Sequence, residues 1–196
     1  DDTTTGDLVV RILDNIPVIS VALTDSYTAP VLVTQDGDTL TATGTAATDT
    51  ASADFSGALE ETVHFGADRA ATTDSLIWAY NLTLLGGDPS VSSGLTSNGD
   101  AVTLFLDNGV VRGSTATAIG DVTALNTAFT IEVAANGTIT LSQNAVIDHP
   151  DGADESEIST LAETLVRLNG TATATDGDGD QSSASAFLDI GDSFGF

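Results

Sequence analysis

Cysteine, methionine and lysine are all absent from the 196 residues. Without cysteine, no disulfide can staple the fold and no thiolate can serve as nucleophile or metal ligand. Without lysine, neither Schiff-base chemistry nor a lysine-to-asparagine crosslink is open to the chain. The only basic residues are Arg11, Arg69, Arg112 and Arg167, set against 29 Asp and Glu for a net charge of −25. Such a chain repels nucleic-acid phosphates and anionic lipid, so neither is an expected partner. No apolar run reaches the roughly 18 residues of a membrane span, and Asp1-Asp2 does not open a signal peptide, so any export address is expected outside this segment.

Histidine is scarce as well. His64 and His149 are too few for a histidine zinc site. The acids beside them, Glu60, Glu61, Asp148 and Asp151, are what so acidic a chain places next to any residue, and they do not single out an acid/base pair. With no phosphate loop, nucleophile elbow or dinucleotide fingerprint, the expectation is a protein that is not an enzyme.

What remains is an acidic chain that can nevertheless fold. Hydrophobic residues make up 41% of it and the mean hydropathy is positive, enough apolar surface to offset chain entropy and to argue against disorder. Alternating Val, Ile, Leu and Thr segments of strand length recur throughout. They cover 8–13, 18–23, 31–33, 39–45, 61–65, 76–84, 102–106, 110–114, 128–133, 138–141, 165–175 and 182–190. About a dozen strands at this spacing predict an all-β fold, an antiparallel β-sandwich of immunoglobulin or cadherin type with at most one short helix. Asp107-Asn108-Gly109 and Ala135-Asn136-Gly137 lie between alternating segments, where Asn-Gly supplies the positive φ of a tight hairpin.

A single stretch, Glu155 to Thr164, has helix-like spacing of Ile158, Leu161 and Leu165, and a short helix and an irregular loop both fit it. Asp36 to Gly57, rich in Thr, Ala, Ser, Asp and Gly, reads as a polar surface excursion or weak edge strands. Residues 1–16 are expected to be the exit strand and linker of a preceding module, and 17–196 the β-sandwich repeat itself.

The sharpest local feature is Thr175-Asp176-Gly177-Asp178-Gly179-Asp180-Gln181, between two predicted strands. Carboxylates at alternate positions of a glycine-opened turn suit a hard cation such as Ca2+, which takes about 6–8 oxygens. The run looks like the start of an EF-hand loop, yet the twelfth position would be Phe187, which has no carboxylate, so that reading fails. A solvated polar turn is the plainer alternative. Asp14 and Asn15, in Leu13-Asp14-Asn15-Ile16-Pro17, resemble the Asp-Asn-x-Pro linkers of cadherin-like tandem domains; an Asx-capped turn fits equally. Asp189 with Asp192, and Gln35-Asp36-Gly37-Asp38, are weaker acidic sites. Trp78 and Tyr80 share one strand face, which suits core packing or a grip on a sugar or peptide.

Several segments, taken in order, are similar to the long repeat modules of giant type I secreted RTX adhesins. They are Ser52-Ala53-Asp54-Phe55-Ser56, Phe65-Gly66-Ala67-Asp68, Leu84-Leu85-Gly86-Gly87, Ser93-Gly94-Leu95, Asp148-His149-Pro150-Asp151, the Thr173 to Asp180 run and Phe187 to Phe194. The resemblance covers 51–196 best; residues 1–50 match poorly, and Arg69 stands where a small residue is expected. It implies secretion to the surface of a Gram-negative bacterium and a calcium-stiffened monomeric sandwich whose partners are the neighbouring repeats of the same chain. Two roles follow as expectations: an extender that projects other domains from the cell, or a module that binds a surface glycan or peptide.

Overall fold

The computed structural model describes residues 15–39, 46–150 and 157–196. Thirteen strands run through them: β1 (Val18–Leu23), β2 (Leu32–Val33), β3 (Asp49–Asp54), β4 (Leu59–His64), β5 (Leu76–Leu84), β6 (Ser90–Ser97), β7 (Asp100–Asp107), β8 (Val110–Ser114), β9 (Thr127–Val133), β10 (Thr138–Gln143), β11 (Val166–Thr175), β12 (Gln181–Asp189) and β13 (Phe194–Gly195). The remaining regular structure is short 3-10 turns, none longer than four residues. No helix among the described residues is long and apolar enough to cross a membrane. The expected strand over 8–13 and most of the one over 39–45 lie outside the described residues.

The fold is the all-β antiparallel sandwich that the alternation predicts. One layer is a six-stranded sheet in the order β3-β10-β9-β8-β7-β6, a meander of consecutive hairpins with β3 added at one edge. Facing it is the sheet β12-β11-β5, with the pair β1-β4 packed close by. The period of two is strictest in β11, where every second residue from Val166 to Ala174 is buried while the intervening side chains from Arg167 to Thr175 stay half-exposed. The core lies between the layers. It joins Leu104, Phe129, Ile131, Ile139 and Leu141 of the large sheet to Leu82, Leu84, Val166 and Leu168, and it is closed by Ile190, Phe194 and Phe196. Each such side chain contributes roughly 1.5–3 kcal/mol by leaving water, which is how a chain with no disulfide holds together.

Turn chemistry fixes the register of the meander. At the β7–β8 turn, Asn108 and Gly109 have φ of 51° and 84°, the left-handed pair that a two-residue hairpin needs. The same pair recurs at Asn98 and Gly99 between β6 and β7, at 52° and 83°. There, Asp148 accepts from the backbone N–H groups of both Asn98 and Gly99, at 3.0 and 2.7 Å, and pins the turn to the chain that follows β10.

The polar stretch from Asp36 to Gly57 supplies one edge strand, β3, hydrogen-bonded along β10. In the segment that fitted either helix or loop, the described residues 157–162 have no helical turn, with Thr160 bridged to Gly195, and only Glu163–Leu165 turn as 3-10. The loop reading therefore holds for them. The backbone here is drawn into pairing with the chain's end, since Ser159 and Phe196 exchange both of their backbone hydrogen bonds.

Candidate metal centre

Two segments distant in sequence meet at one end of the sandwich. The β11–β12 turn is closed by its own backbone: Asp176 N donates to the Asp180 carbonyl at 3.0 Å, and Asp180 N donates to Oδ1 of Asp176 at 2.9 Å. The connection from β4 to β5 runs along this turn. Ala71 N donates to the Thr175 carbonyl, Thr175 N to the Ser75 carbonyl, and Gly177 N to the Arg69 carbonyl at 2.9 Å. Contact is so close at Gly177 that a Cβ there would collide with the Asp68 carbonyl oxygen, so only glycine lets the two backbones approach.

This approach gathers Asp68, Asp176 and Asp178, one carboxylate oxygen of each lying within 4.8 Å of the others; it is the one group of this kind among the described residues. Asp68 and Asp178 are exposed, whereas Asp176 is 1% exposed. Its Oδ1 is bonded to Asp180 N, but Oδ2 is buried with no hydrogen-bond partner. An ionised carboxylate taken out of water with an unmet lone pair is costly, and the cost is removed when a cation sits against it. The donors are all oxygen, which suits a hard divalent ion and not a soft or nitrogen-seeking one. The cluster can therefore hold a metal ion, and without one its three carboxylates repel one another.

Of the residues singled out from the sequence, Asp176 and Asp178 belong to this cluster. Asp180 is not among the three converging carboxylates; its backbone N–H and carbonyl both bond to Asp176 and close the hairpin. Asp68 was read as part of a resembling segment and not as a ligand, because nothing local links Phe65-Gly66-Ala67-Asp68 to a turn so far along the chain. Asp14 lies outside the described residues. Asn15 is exposed, and its side chain packs on Gly66, two residues before Asp68. Asn15 thus lies on the same β4–β5 connection that carries Asp68. Asp189 is engaged elsewhere, in a two-bond pair with Arg167 at 2.8 and 3.3 Å, with the guanidinium 3.6 Å from the centre of the Phe187 ring. Asp192 is exposed in the 3-10 turn Gly191–Ser193, apart from the cluster.

The weaker acidic turn at Asp36 is structural. Its Oδ1 accepts from Gln143 Nε2 at 2.5 Å and from Ile147 N at 3.0 Å, and its Oδ2 lies 3.4 Å from His149 Nε2. Trp78 and Tyr80 stack on each other, with centroids 5.7 Å apart and planes at 7°. Both are half-buried on the inward side of β5, against Gly170. Burial first, then the carboxylates of Asp54 and Glu61, push the Tyr80 hydroxyl above its ordinary pKa.

An antiparallel sandwich with an all-carboxylate cluster joining two of its loops is the class that the geometry defines. The chain belongs to the family described as Domain of unknown function (DUF5801), which matches residues 31–191. No curated protein and no solved structure matches it significantly.

Proposed function

We propose that this chain is a calcium-held extender module, one stiff repeat of a large secreted bacterial surface adhesin, with a structural role and no chemistry of its own. The observation that carries the reading is the buried, unpartnered Oδ2 of Asp176 inside the Asp68, Asp176 and Asp178 cluster. Calcium is favoured over magnesium because it accepts about 6–8 oxygens in irregular arrangements, while magnesium demands near-octahedral geometry and gives up its waters reluctantly. A pair of exposed acids around one buried acid suits the more tolerant ion. The missing cysteines and the strong acidity agree with a secreted domain that is held together by cations.

The position of Asn15 on Gly66 supports the extender role in particular. An ion at Asp68 orders the connection on which the incoming chain rests, so occupancy would stiffen the junction with whatever precedes residue 15. The neighbouring repeats of the same chain are then its partners. A glycan- or peptide-binding role has less support, since Trp78 and Tyr80 spend their faces on each other and on Gly170.

Thermal melts test the proposal. Calcium should raise the melting temperature of chelated protein well beyond what magnesium, or sodium chloride at equal ionic strength, achieves. Equal rescue by plain salt would reduce the site to charge screening and sink the reading.

A further inference from the structure

Arg69 sits where an arginine is unexpected. It follows Asp68 directly, its carbonyl accepts from Gly177 N at the metal-site turn, and its φ is 62°, in the left-handed region that glycine or asparagine fills with less strain. It is exposed. The other two described arginines are each neutralised, Arg112 by Asp107 at 3.1 Å and Arg167 by Asp189 at 2.8 Å. Arg69 makes no ion pair among the described residues, in a chain that carries 29 acids. The charge thus sits on the residue next to Asp68, at a left-handed backbone position, and is tied to no single acid among the described residues.

We infer that Arg69 is a built-in counter-charge that sets how much free calcium the site requires. This rests on the calcium reading of the Asp68, Asp176 and Asp178 cluster. With the site empty, the guanidinium offsets part of the repulsion among the three carboxylates and keeps the two loops together. With the site filled, the same positive charge opposes the dication and weakens its binding. The two effects have one direction: Arg69 stabilises the empty state relative to the filled state and moves the response to higher calcium. A unit charge about 8–10 Å from a divalent ion in a watery surrounding shifts its binding constant about fivefold when unscreened, and added salt erases the effect.

Calcium titration by calorimetry on wild type, Arg69→Gln and Arg69→Lys decides the matter, with melts in chelator alongside. The glutamine variant keeps an unbranched polar side chain, shorter than arginine, and the backbone constraint while losing the charge; the lysine variant keeps the charge. Arg69→Gln should bind calcium about fivefold more tightly at low ionic strength, lose that advantage in roughly 0.5 M salt, and melt below wild type in chelator. Arg69→Lys should match wild type in each respect. If wild type binds calcium and Arg69→Gln binds it no more tightly, the counter-charge is overturned while the site stands. If wild type takes up no calcium, both fall together.

Discussion

Replacing Asp176 by asparagine should have opposite consequences with and without calcium. The substitution is nearly isosteric, so the carbonyl oxygen of the amide can still accept from Asp180 N, the 2.9 Å bond that closes the hairpin. What changes is the second oxygen, now buried with no partner. In chelator, the amide puts a donor where a lone charge had faced Asp68 and Asp178, which removes a desolvated negative charge and adds two possible acceptors for the new N–H groups. Asp176→Asn should then be as stable as wild type, or more stable.

In calcium the variant lacks the buried anionic ligand. Taking about 0.1 mM as a dissociation constant typical of extracellular calcium modules, roughly 10 mM calcium is a hundredfold excess and stabilises the wild type by about 2.7 kcal/mol. For a domain of this size that corresponds to about 5–11 °C in melting temperature, nearly all of which the variant should forgo. Circular-dichroism melts of both proteins, each in calcium and in chelator, give the four numbers required. The reasoning fails if Asp176→Asn lies below wild type by the same margin in both conditions, for Asp176 would then be an ordinary buried polar residue with no ion to meet.

Three other substitutions test separate links. Gly177→Ala should weaken calcium binding at least tenfold and lower stability, because its Cβ would drive the Asp68 carbonyl and the connection behind it away from the turn; unchanged calorimetric affinity would contradict the close approach. Asp148→Ala should cost about 0.5–1.5 kcal/mol at neutral pH, since it releases to water two exposed backbone N–H groups of the Asn98-Gly99 turn. The Gly99 N–H, then the Thr96 hydroxyl, the Asn98 N–H and the His149 ring hold the Asp148 carboxyl below the usual carboxylate range. Its folded pKa is therefore the lower one, so its contribution is complete above the unfolded value of about 3.9 and fades as pH falls through the folded value; urea titrations of wild type and variant should converge in that window and nowhere higher. Gly113→Ala should destabilise by about 1–3 kcal/mol irrespective of calcium, because the new methyl group would enter the Phe129 ring, and a denaturant midpoint equal to wild type would refute that packing.

Where large apolar residues alternate, strands were legible to the residue: 18–23, 76–84 and 110–114 are β1, β5 and β8 as they stand. β3 and β6 were not, because Asp-Thr-Ala-Ser-Ala-Asp and Ser-Val-Ser-Ser-Gly-Leu-Thr-Ser carry too little apolar contrast to display a period of two. They are strands because their neighbours offer an edge. Ser52 shares a hydroxyl contact with Thr140 at 2.9 Å across β3 and β10, and Ser93 Oγ donates to the Val102 carbonyl at 2.6 Å between β6 and β7. The short β13 is likewise invisible locally, since Phe194 is fixed by the core and by parallel pairing with β2. At the acidic cluster, alternate spacing pointed to the turn that holds Asp176 and Asp178, and it could not point to Asp68, which only the paired backbones of the two loops bring beside them.

The presence of Asp68 in the cluster changes what an ion could do for the fold. Three acids within one hairpin turn would gather around a cation in a disordered chain almost as readily as in a folded one, and an ion that binds both states stabilises neither. A site that needs the β4–β5 connection beside the β11–β12 turn exists only after β5 and β11 have paired, over the register that sets Leu76 opposite Ala174. Binding free energy at such a site is therefore folding free energy. An ion held there would serve as a cross-link between distant segments in a chain that has no cysteine for a disulfide. Unlike a disulfide, such an ion would come and go with its free concentration, so on the calcium reading the same chain should be loosely held at low calcium and locked at high calcium.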